Sequence, residues 1–365
     1  MYIKEIVLSN FRNYKYEKII LFNKKNIIYG KNAQGKTNII ESIYISAFGK
    51  TKRTTNIKDV IKYKEEEAHI KVYLYDNKEK EIDIHITKEN KQIFLNKEKI
   101  KNIKYLIGIE NIVIFTPEDL EIIKEGPSKR RKYINNIICQ IDREYLLTII
   151  EYNKILKQKN RELKQKNIDY DLIEIYNEKL LQKGKKIIEK REKYINEINK
   201  ESNKIYNEIT KGKEKIKIKY KPSVLIEEYS KKQKLIIKEE KEAKTTLIGI
   251  HLDDIEININ EKNARKFASN GQQRSIIIAM KYAEAEIIKK LKNKQPIIIL
   301  DDVLSELDEQ RQDYILNKKD NCQTLITCTD KEKIKNKINE KAKYIFVKEG
   351  TIITKWVNQA KQQQK

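Results

Sequence analysis

The sequence predicts an α/β fold made of two strand-rich halves separated by a helical insertion. Three observations predict it. Residues 1 to about 120 carry one short apolar or alternating run after another, the pattern of strands. From Ser128 to about Lys213 there is no proline, only Gly184 and Gly212 interrupt, and the texture becomes Lys/Glu-rich and helical. Strands then resume, with "EKIKIKYKPSVLI", "TTLIGIHLDDIEININ" and "PIIIL". The expected divisions are a first half at 1–125, the insertion at 126–215 and a second half at 216–365.

In the first half the expected strands are "YIKEIVLSNF", "YEKIILF", "NIIYG", "AHIKVYLY", "KEIDIHIT", "KQIFLN" and "NIVIFT". One helix breaks the series. In "IIYGKNAQGKTNIIESIY" a buried-type strand runs into a glycine-bounded turn, and Ile39, Ile40, Ile43, Tyr44 and Ala47 then recur at helical spacing. The spacing Gly30-x-x-x-x-Gly35-Lys36-Thr37 is that of a P-loop, whose backbone N–H groups converge on nucleotide phosphates. Gly30 and Gly35 permit close backbone approach, Lys36 supplies a charge, and the Thr37 hydroxyl can ligate Mg²⁺.

In the insertion, Ile155, Leu156, Leu163, Ile187, Ile188, Tyr194, Ile195 and Ile198 recur near helical spacing, which predicts packed antiparallel helices. Sustained heptads are too few for a long coiled coil. In the second half, Ser269 and Gly271 stand before a strongly apolar helix, again a helix N-terminus suited to an anion. Ile297 to Leu300 then lead to Asp301 and Asp302, as in a Walker B strand. Asp301 can hold Mg²⁺, and Asp302, beyond the strand end, can orient an attacking water. The terminal "KQQQK" reads as a frayed end.

Composition excludes several classes. At 39% hydrophobic and 36% charged, with no long apolar run, the chain encodes no membrane-spanning helix. Lys4 and Glu5 interrupt what a secretory leader would need, so a cytoplasmic location is expected. Cys139, Cys322 and Cys328 form no C-x-x-C pair and read as reduced thiols. With three histidines, His69, His85 and His251, histidine-rich metal chemistry is not expected. The net charge of +24 points to a polyanionic partner, although lysine makes up most of the 78 basic residues and an A/T-rich coding bias would add to it. Arginine is the more informative cation, and Arg12, Arg130, Arg131, Arg265 and Arg274 all fall in motifs.

The order P-loop, "SNGQQ", Walker B, "SELD" resembles that of ABC-type ATPases, in which one subunit's serine-glycine signature completes another's nucleotide site. The stretches "SNFRNY", "YGKNAQGKTNIIESIY", "FTPEDLEIIKEGPSKRRKYIN", "FASNGQQR" and "ILDDVLSELD" are, more specifically, similar to the RecF family of bacterial recombination-repair ATPases. The fold so implied is an ABC-type P-loop ATPase head, of mixed sheets and helices, with an inserted helical subdomain. Lys36 and Asp301 are too close in the chain for the long coiled coil that separates these motifs in SMC proteins.

The resemblance implies ATP and Mg²⁺ as cofactors. Gly30, Asn32, Gly35, Lys36, Thr37 and Asn38 would hold the nucleotide, with Arg12 approaching it, and Thr37 and Asp301 would hold the metal. Asp302 is implied as catalytic acid, an Asp where most ABC proteins have Glu; Lys36 and Ser269 are implied in catalysis, Ser269, Gly271 and Gln272 as the signature, and Ser305 to Asp308 as the D-loop. Two departures stand out. A family run of Gly-Pro-His-Arg-Asp-Asp is Gly249, Ile250, His251, Leu252, Asp253 and Asp254 here, and the switch histidine is replaced by Cys328 and Thr329. The implied activity is slow, DNA-stimulated ATP hydrolysis by an ATP-dependent homodimer. It would help load recombinase at single-strand gaps, on gapped duplex and single-strand/double-strand junctions, with RecO and RecR and without a membrane. Lys129, Arg130, Arg131 and Lys132, clustered at a helix start, are the candidate DNA contact. Another ABC-class ATPase, either a transporter subunit or an SMC-like clamp, is the alternative; a transporter subunit would not need the insertion and would keep its switch histidine.

Overall fold

A computed structural model describes residues 1–318, 321–338 and 340–355; the "KQQQK" tail lies outside them. The chain divides into two compact units, Met1–Asp119 with Ile288–Lys365, and Leu120–Ile287.

The first unit contains two six-stranded sheets. One is antiparallel throughout, in the order β2 (Tyr14–Ile20), β1 (Tyr2–Phe11), β4 (Glu67–Asp76), β5 (Lys78–Thr87), β6 (Lys91–Leu95) and β7 (Glu98–Lys99). Its strands alternate as their sequence does. Along β4, Ala68, Ile70, Val72 and Leu74 are buried, while His69, Lys71, Tyr73 and Tyr75 take the other face. Asn96 and Lys97, at φ 51° and 71°, make the left-handed two-residue turn that suits a hairpin's twist.

The second sheet has the order β15 (Thr351–Lys355), β14 (Ala342–Lys348), β3 (Lys25–Tyr29), β13 (Thr324–Cys328), β12 (Ile297–Leu300) and β8 (Ile112–Phe115). All neighbours are parallel except β14 and β15. Every residue of β12 and β13 is buried, which is why β12 reads as an unbroken apolar run rather than an alternating one. The P-loop helix, Lys36–Phe48, is buried nearly all round: the expected stripe is in the core, and so are Ser42, Ile45, Ser46 and Phe48. Residues of both sheets, such as Ile6, Ile70, Ile84, Ile28, Ile299 and Val347, share one hydrophobic cluster with that helix. That is why no polar face was needed.

The second unit holds the predicted helices. Pro127–Ile141 is followed by Arg143–Glu162 and by Tyr170–Thr210, whose 41 residues extend about 60 Å at 1.5 Å per residue. Asp142 and Asp169 cap the last two by accepting from Tyr145 N at 2.9 Å and Leu172 N at 3.0 Å. Ile187, Ile188, Tyr194, Ile195 and Ile198 are buried as their spacing predicts. Gly184 has its own reason: a Cβ there would meet the Tyr229 ring at 2.9 Å.

The division expected at 215 does not coincide with a unit boundary. The long helix leads into β9 (Ile216–Lys221), which pairs with β10 (Asp254–Ile259) and through it β11 (Lys262–Asn263), so this unit continues to Ile287. β9 stops at Lys221 because Pro222 has no N–H to extend the ladder, and "SVLI" leads into the helix Ile226–Leu235. Of "TTLIGIHLDDIEININ" only the second part is strand.

Candidate nucleotide site at the ends of three parallel strands

Neighbouring strands β3, β13 and β12 all point the same way, and ligands of open α/β sheets gather where such strands end. At the end of β3 stands the P-loop, at the end of β13 the run Thr327 to Thr329, and at the end of β12 Asp301 and Asp302.

The loop glycines are required by contact. Gly30 takes φ 155°, and a Cβ on it would lie 2.3 Å from Val347 O of β14; Gly35 takes φ 118°, and its Cβ would meet the Asn13 and Tyr14 side chains at 2.8 Å. Those two side chains brace the loop. Asn13 Nδ2 donates to Gln34 O at 2.9 Å and Asn13 Oδ1 accepts from Asn38 Nδ2 at 2.8 Å, while the Tyr14 hydroxyl donates to Gly35 O at 3.0 Å. Lys36 Nζ donates to Gly30 O at 2.7 Å and Lys31 O at 2.8 Å. Burial holds its pKa below the ordinary lysine value, against the opposing pull of Asp302, Cys328 and Asp301. Asn32 is exposed on the loop.

Thr37 Oγ1 donates to Asp301 Oδ1 at 3.3 Å, across the gap between β3 and β12, and Thr327 Oγ1 donates to the same oxygen at 2.7 Å. Burial raises the Asp301 pKa, and the two hydroxyls only partly offset it. A hydroxyl and a buried carboxylate whose charge is costly in isolation fit a hard divalent cation, which takes oxygen ligands. The glycine cradle fits phosphate equally. Asp302 is exposed and left-handed at φ 55°, a conformation that costs an Asp about 1 to 3 kcal/mol, and its N–H donates to Thr327 Oγ1 at 2.9 Å. Thr327 thus ties both carboxylate-bearing residues to β13. Burial pushes the Cys328 thiol up to about 12, which leaves it neutral and unreactive.

Arg12, expected to approach the nucleotide, is anchored on the P-loop helix. Its Nε and Nη2 form a fork on the Glu41 carboxylate of the P-loop helix at 2.9 and 2.8 Å, and Nη1 donates to Asp59 O at 2.7 Å. Asn13, Tyr14 and Glu41 fall in stretches the sequence marks, but neither their roles nor that of Thr327 could be read there, because each depends on a partner from another part of the chain.

In the second unit, Ser269 and Gln272 form a reciprocal cap on the helix Asn270–Lys292. Gln272 N donates to Ser269 Oγ at 3.2 Å, and Ser269 N donates to Gln272 Oε1 at 2.7 Å. Ser269 is exposed, and Gln272 Nε2 is held by Glu214 Oε1 at 2.6 Å. The basic cluster is only partly at the surface, which corrects the expectation for its arginines. Arg130 is 8% exposed and forks onto Asp254 at 2.6 and 3.1 Å, and Arg131 donates to Asp253 O at 2.7 Å. The reason is periodicity: Arg130 is on the face of its helix that buries Tyr133, Ile134 and Ile137. Lys129, paired with Glu121, and Lys132 remain exposed.

In the departed run at 249–254, Asp253 is the centre of a buried polar hub. Asp253 accepts from Arg191 Nη1 at 2.7 Å, Ser223 N at 2.8 Å and the Tyr220 hydroxyl. Arg191, 1% exposed, also reaches Ile250 O, Asn135 and Tyr145. Burial opposes its charge, yet Tyr145, Tyr220 and Asp253 prevail and hold its pKa above the ordinary value. His251 sits between the Tyr152 hydroxyl at 3.2 Å and Thr246 O at 3.1 Å, and burial lowers its pKa.

Residues 2–122 match the family model of the RecF/RecN/SMC N terminal domain. The DNA replication and repair protein RecF of Clostridium botulinum (strain Eklund 17B / Type B) is 40% identical over 360 residues, covering 97% of this chain and 100% of that protein. The RecF of Clostridium acetobutylicum is 44% identical over 351 residues, or 93% of this chain and 97% of that one. Among solved structures, the recombination mediator protein RecF-ATP in the RecFOR pathway superposes with a TM-score of 0.89 at 34% identity, over 97% of this chain and 99% of that one. The SmcHead bound to the C-winged helix domain of ScpA, at 15% identity and a TM-score of 0.58, shares the fold. Near-full-length identity at this level, on an SMC-type head with its P-loop and Walker B intact, makes this chain a member of the RecF family of DNA replication and repair proteins.

Proposed function

We propose that the chain is an ATPase that binds DNA, dimerises on ATP and helps load recombinase at single-strand gaps together with RecO- and RecR-type partners. The observation that carries it is the meeting of Thr37 and Asp301, 3.3 Å apart, beside an intact P-loop. RecF-ATP structures assigned to the RecFOR pathway support the nucleotide and the partners. Bound Mg²⁺ would neutralise developing charge on the β- and γ-phosphates.

The chain's own residues do the rest. Thr37 and Asp301 hold the metal, and backbone N–H groups between Gly30 and Thr37 bind phosphate oxygens. Lys36 turns from its loop carbonyls to the β- and γ-phosphates. Asp302, exposed and anchored through its N–H, orients water and accepts its proton. Ser269, capped and exposed at a helix N-terminus, serves the site of a second copy. Lys129 and Lys132 contribute to a phosphate-binding surface that reads no sequence.

ATP hydrolysis measured with and without gapped duplex DNA tests this reading. Turnover that rises with DNA and with protein concentration is expected; turnover indifferent to both overturns it. Ser269→Arg should bind ATP and fail to dimerise, and partial activity should return on mixing it with Lys36→Ala.

A further inference from the structure

Of the three histidines in this chain, two face each other. His69 of β4 and His85 of β5 stand directly opposite in the antiparallel ladder, with ring centroids 4.3 Å apart. Asp83, two residues before His85 and therefore on the same face, puts Oδ1 3.1 Å from His85 Nε2. Ligand atoms of all three lie within 4.8 Å of one another, the one such His/Cys/Asp/Glu group of three or more among the described residues. We propose that His69, Asp83 and His85 bind one divalent transition cation of the Zn²⁺ class on the outer face of the antiparallel sheet.

The donor set selects the ion. Two imidazoles and one carboxylate suit a borderline cation such as Zn²⁺, Co²⁺ or Ni²⁺, with positions left for water, whereas Mg²⁺ prefers oxygen alone. The nucleotide site and this one therefore take different metals. Donors about 2.1 Å from a tetrahedral centre lie about 3.4 Å apart, so rotation of the rings about their side-chain torsions closes the remaining distance.

A second observation points to a ligand. Asp83 Oδ1 is buried and accepts no hydrogen bond, close as His85 is. A buried carboxylate oxygen left in this way calls for a partner, and a cation is one. The surroundings hold it ready: Lys71 Nζ is 3.0 Å from Asp83 Oδ2 and 3.4 Å from Glu81, fixing the carboxylate from behind. Glu67 Oε1 is 3.2 Å from His69 Nε2, so Glu67, Glu81 and Asp83 outweigh the single charge of Lys71. His69 and His85 are 32% and 37% exposed at the side chain, which leaves the ion an entry path.

The test uses the full chain without a polyhistidine tag, stripped by chelator, in excess Mg²⁺, and titrated with Co²⁺. One Co²⁺ per chain is expected, with the visible bands of nitrogen and oxygen ligation, displaced by Zn²⁺. His69→Gln, His85→Gln and Asp83→Asn should each weaken binding at least about tenfold, while Lys36→Ala should bind as the parent does. Zn²⁺ should raise the melting temperature of the parent and not of these three variants. With only three histidines, ring proton resonances of the unaltered protein give a readout independent of any variant, and two should move on adding Zn²⁺. Stoichiometric binding unchanged by the substitutions, a sulfur-to-cobalt band that places the ion on a cysteine, or no shift of the His69 and His85 rings overturns the proposal.

Discussion

Where β3, β12 and β13 end, Lys36, Asp301 and Asp302 are each held by hydroxyls or backbone and, among the described residues, by no opposite charge at ion-pair distance. Around Asp253 and Asp254 the reverse holds: Arg130 and Arg191 meet the two carboxylates directly and saturate them. Both regions arise from short motifs rich in Asp, Lys or Arg. The difference teaches that charge type does not mark function; capacity left over after folding does. Strand ends keep acceptors and a cation for a ligand, while the hub consumes its own and locks helix to loop.

The contrast can be broken, beginning at the hub. Arg191→Met should cost about 3 to 5 kcal/mol of stability in urea unfolding, because it strands a buried carboxylate, and Asp253→Asn in the same chain should restore part of the loss. A cost below about 1 kcal/mol would mean the hub is not saturated by that pair. At the strand ends Lys36→Ala should do the opposite, leaving the melting temperature unchanged or higher while ATP hydrolysis falls about 10²- to 10³-fold. Parallel losses of stability and activity would erase the distinction.

Thr327→Val sharpens it on a smaller scale. Removing the hydroxyl leaves Asp301 with Thr37 and takes the acceptor from Asp302 N–H, at a cost of about 1 to 3 kcal/mol, and Thr327→Ser should recover both hydrolysis and stability. Failure of the serine to rescue would point to packing rather than the hydroxyl. Glu110 gives a test through pH rather than through a lost contact. Fully buried with one hydrogen bond from Ser46, its carboxyl is pushed up to about 8. Between the ordinary value of 4.5 and about 8 the folded chain keeps a proton that the unfolded chain has lost, so stability falls as pH rises through that window, by at most about 1.4 kcal/mol per pH unit, and levels above it. Glu110→Gln should remove this slope. Identical pH profiles of urea unfolding for the two proteins would show that Glu110 does not titrate there.

Much of this was legible in advance. Alternation located the antiparallel strands, and unbroken apolar runs located β3, β8 and β12, because burial on one face or two leaves those signatures. Gly30, Gly35, Lys36 and Thr37 could be named as candidates because a phosphate cradle constrains spacing along the chain, and Asp301 because a buried-type apolar run ends on it. Thr327 could not, since its role depends on β13 lying between β3 and β12, a matter of topology. Arg130 and Arg131 looked like surface because a run of four cations hides which two fall on the buried side of a helical turn.

The placing of β3 has a consequence for how the protein is made. Lys25 pairs with both Thr324 and Ala342, so the strand that delivers the P-loop emerges from the ribosome long before either flanking strand exists. Both its edges stay open until the last stretch of chain appears, and pairings this distant in sequence form slowly. During synthesis the nascent head is therefore exposed to strand-to-strand aggregation, and to dependence on chaperones, for nearly the whole of translation. A chain cut short after Asp302 would carry both Walker motifs and still lack the sheet that brings them together.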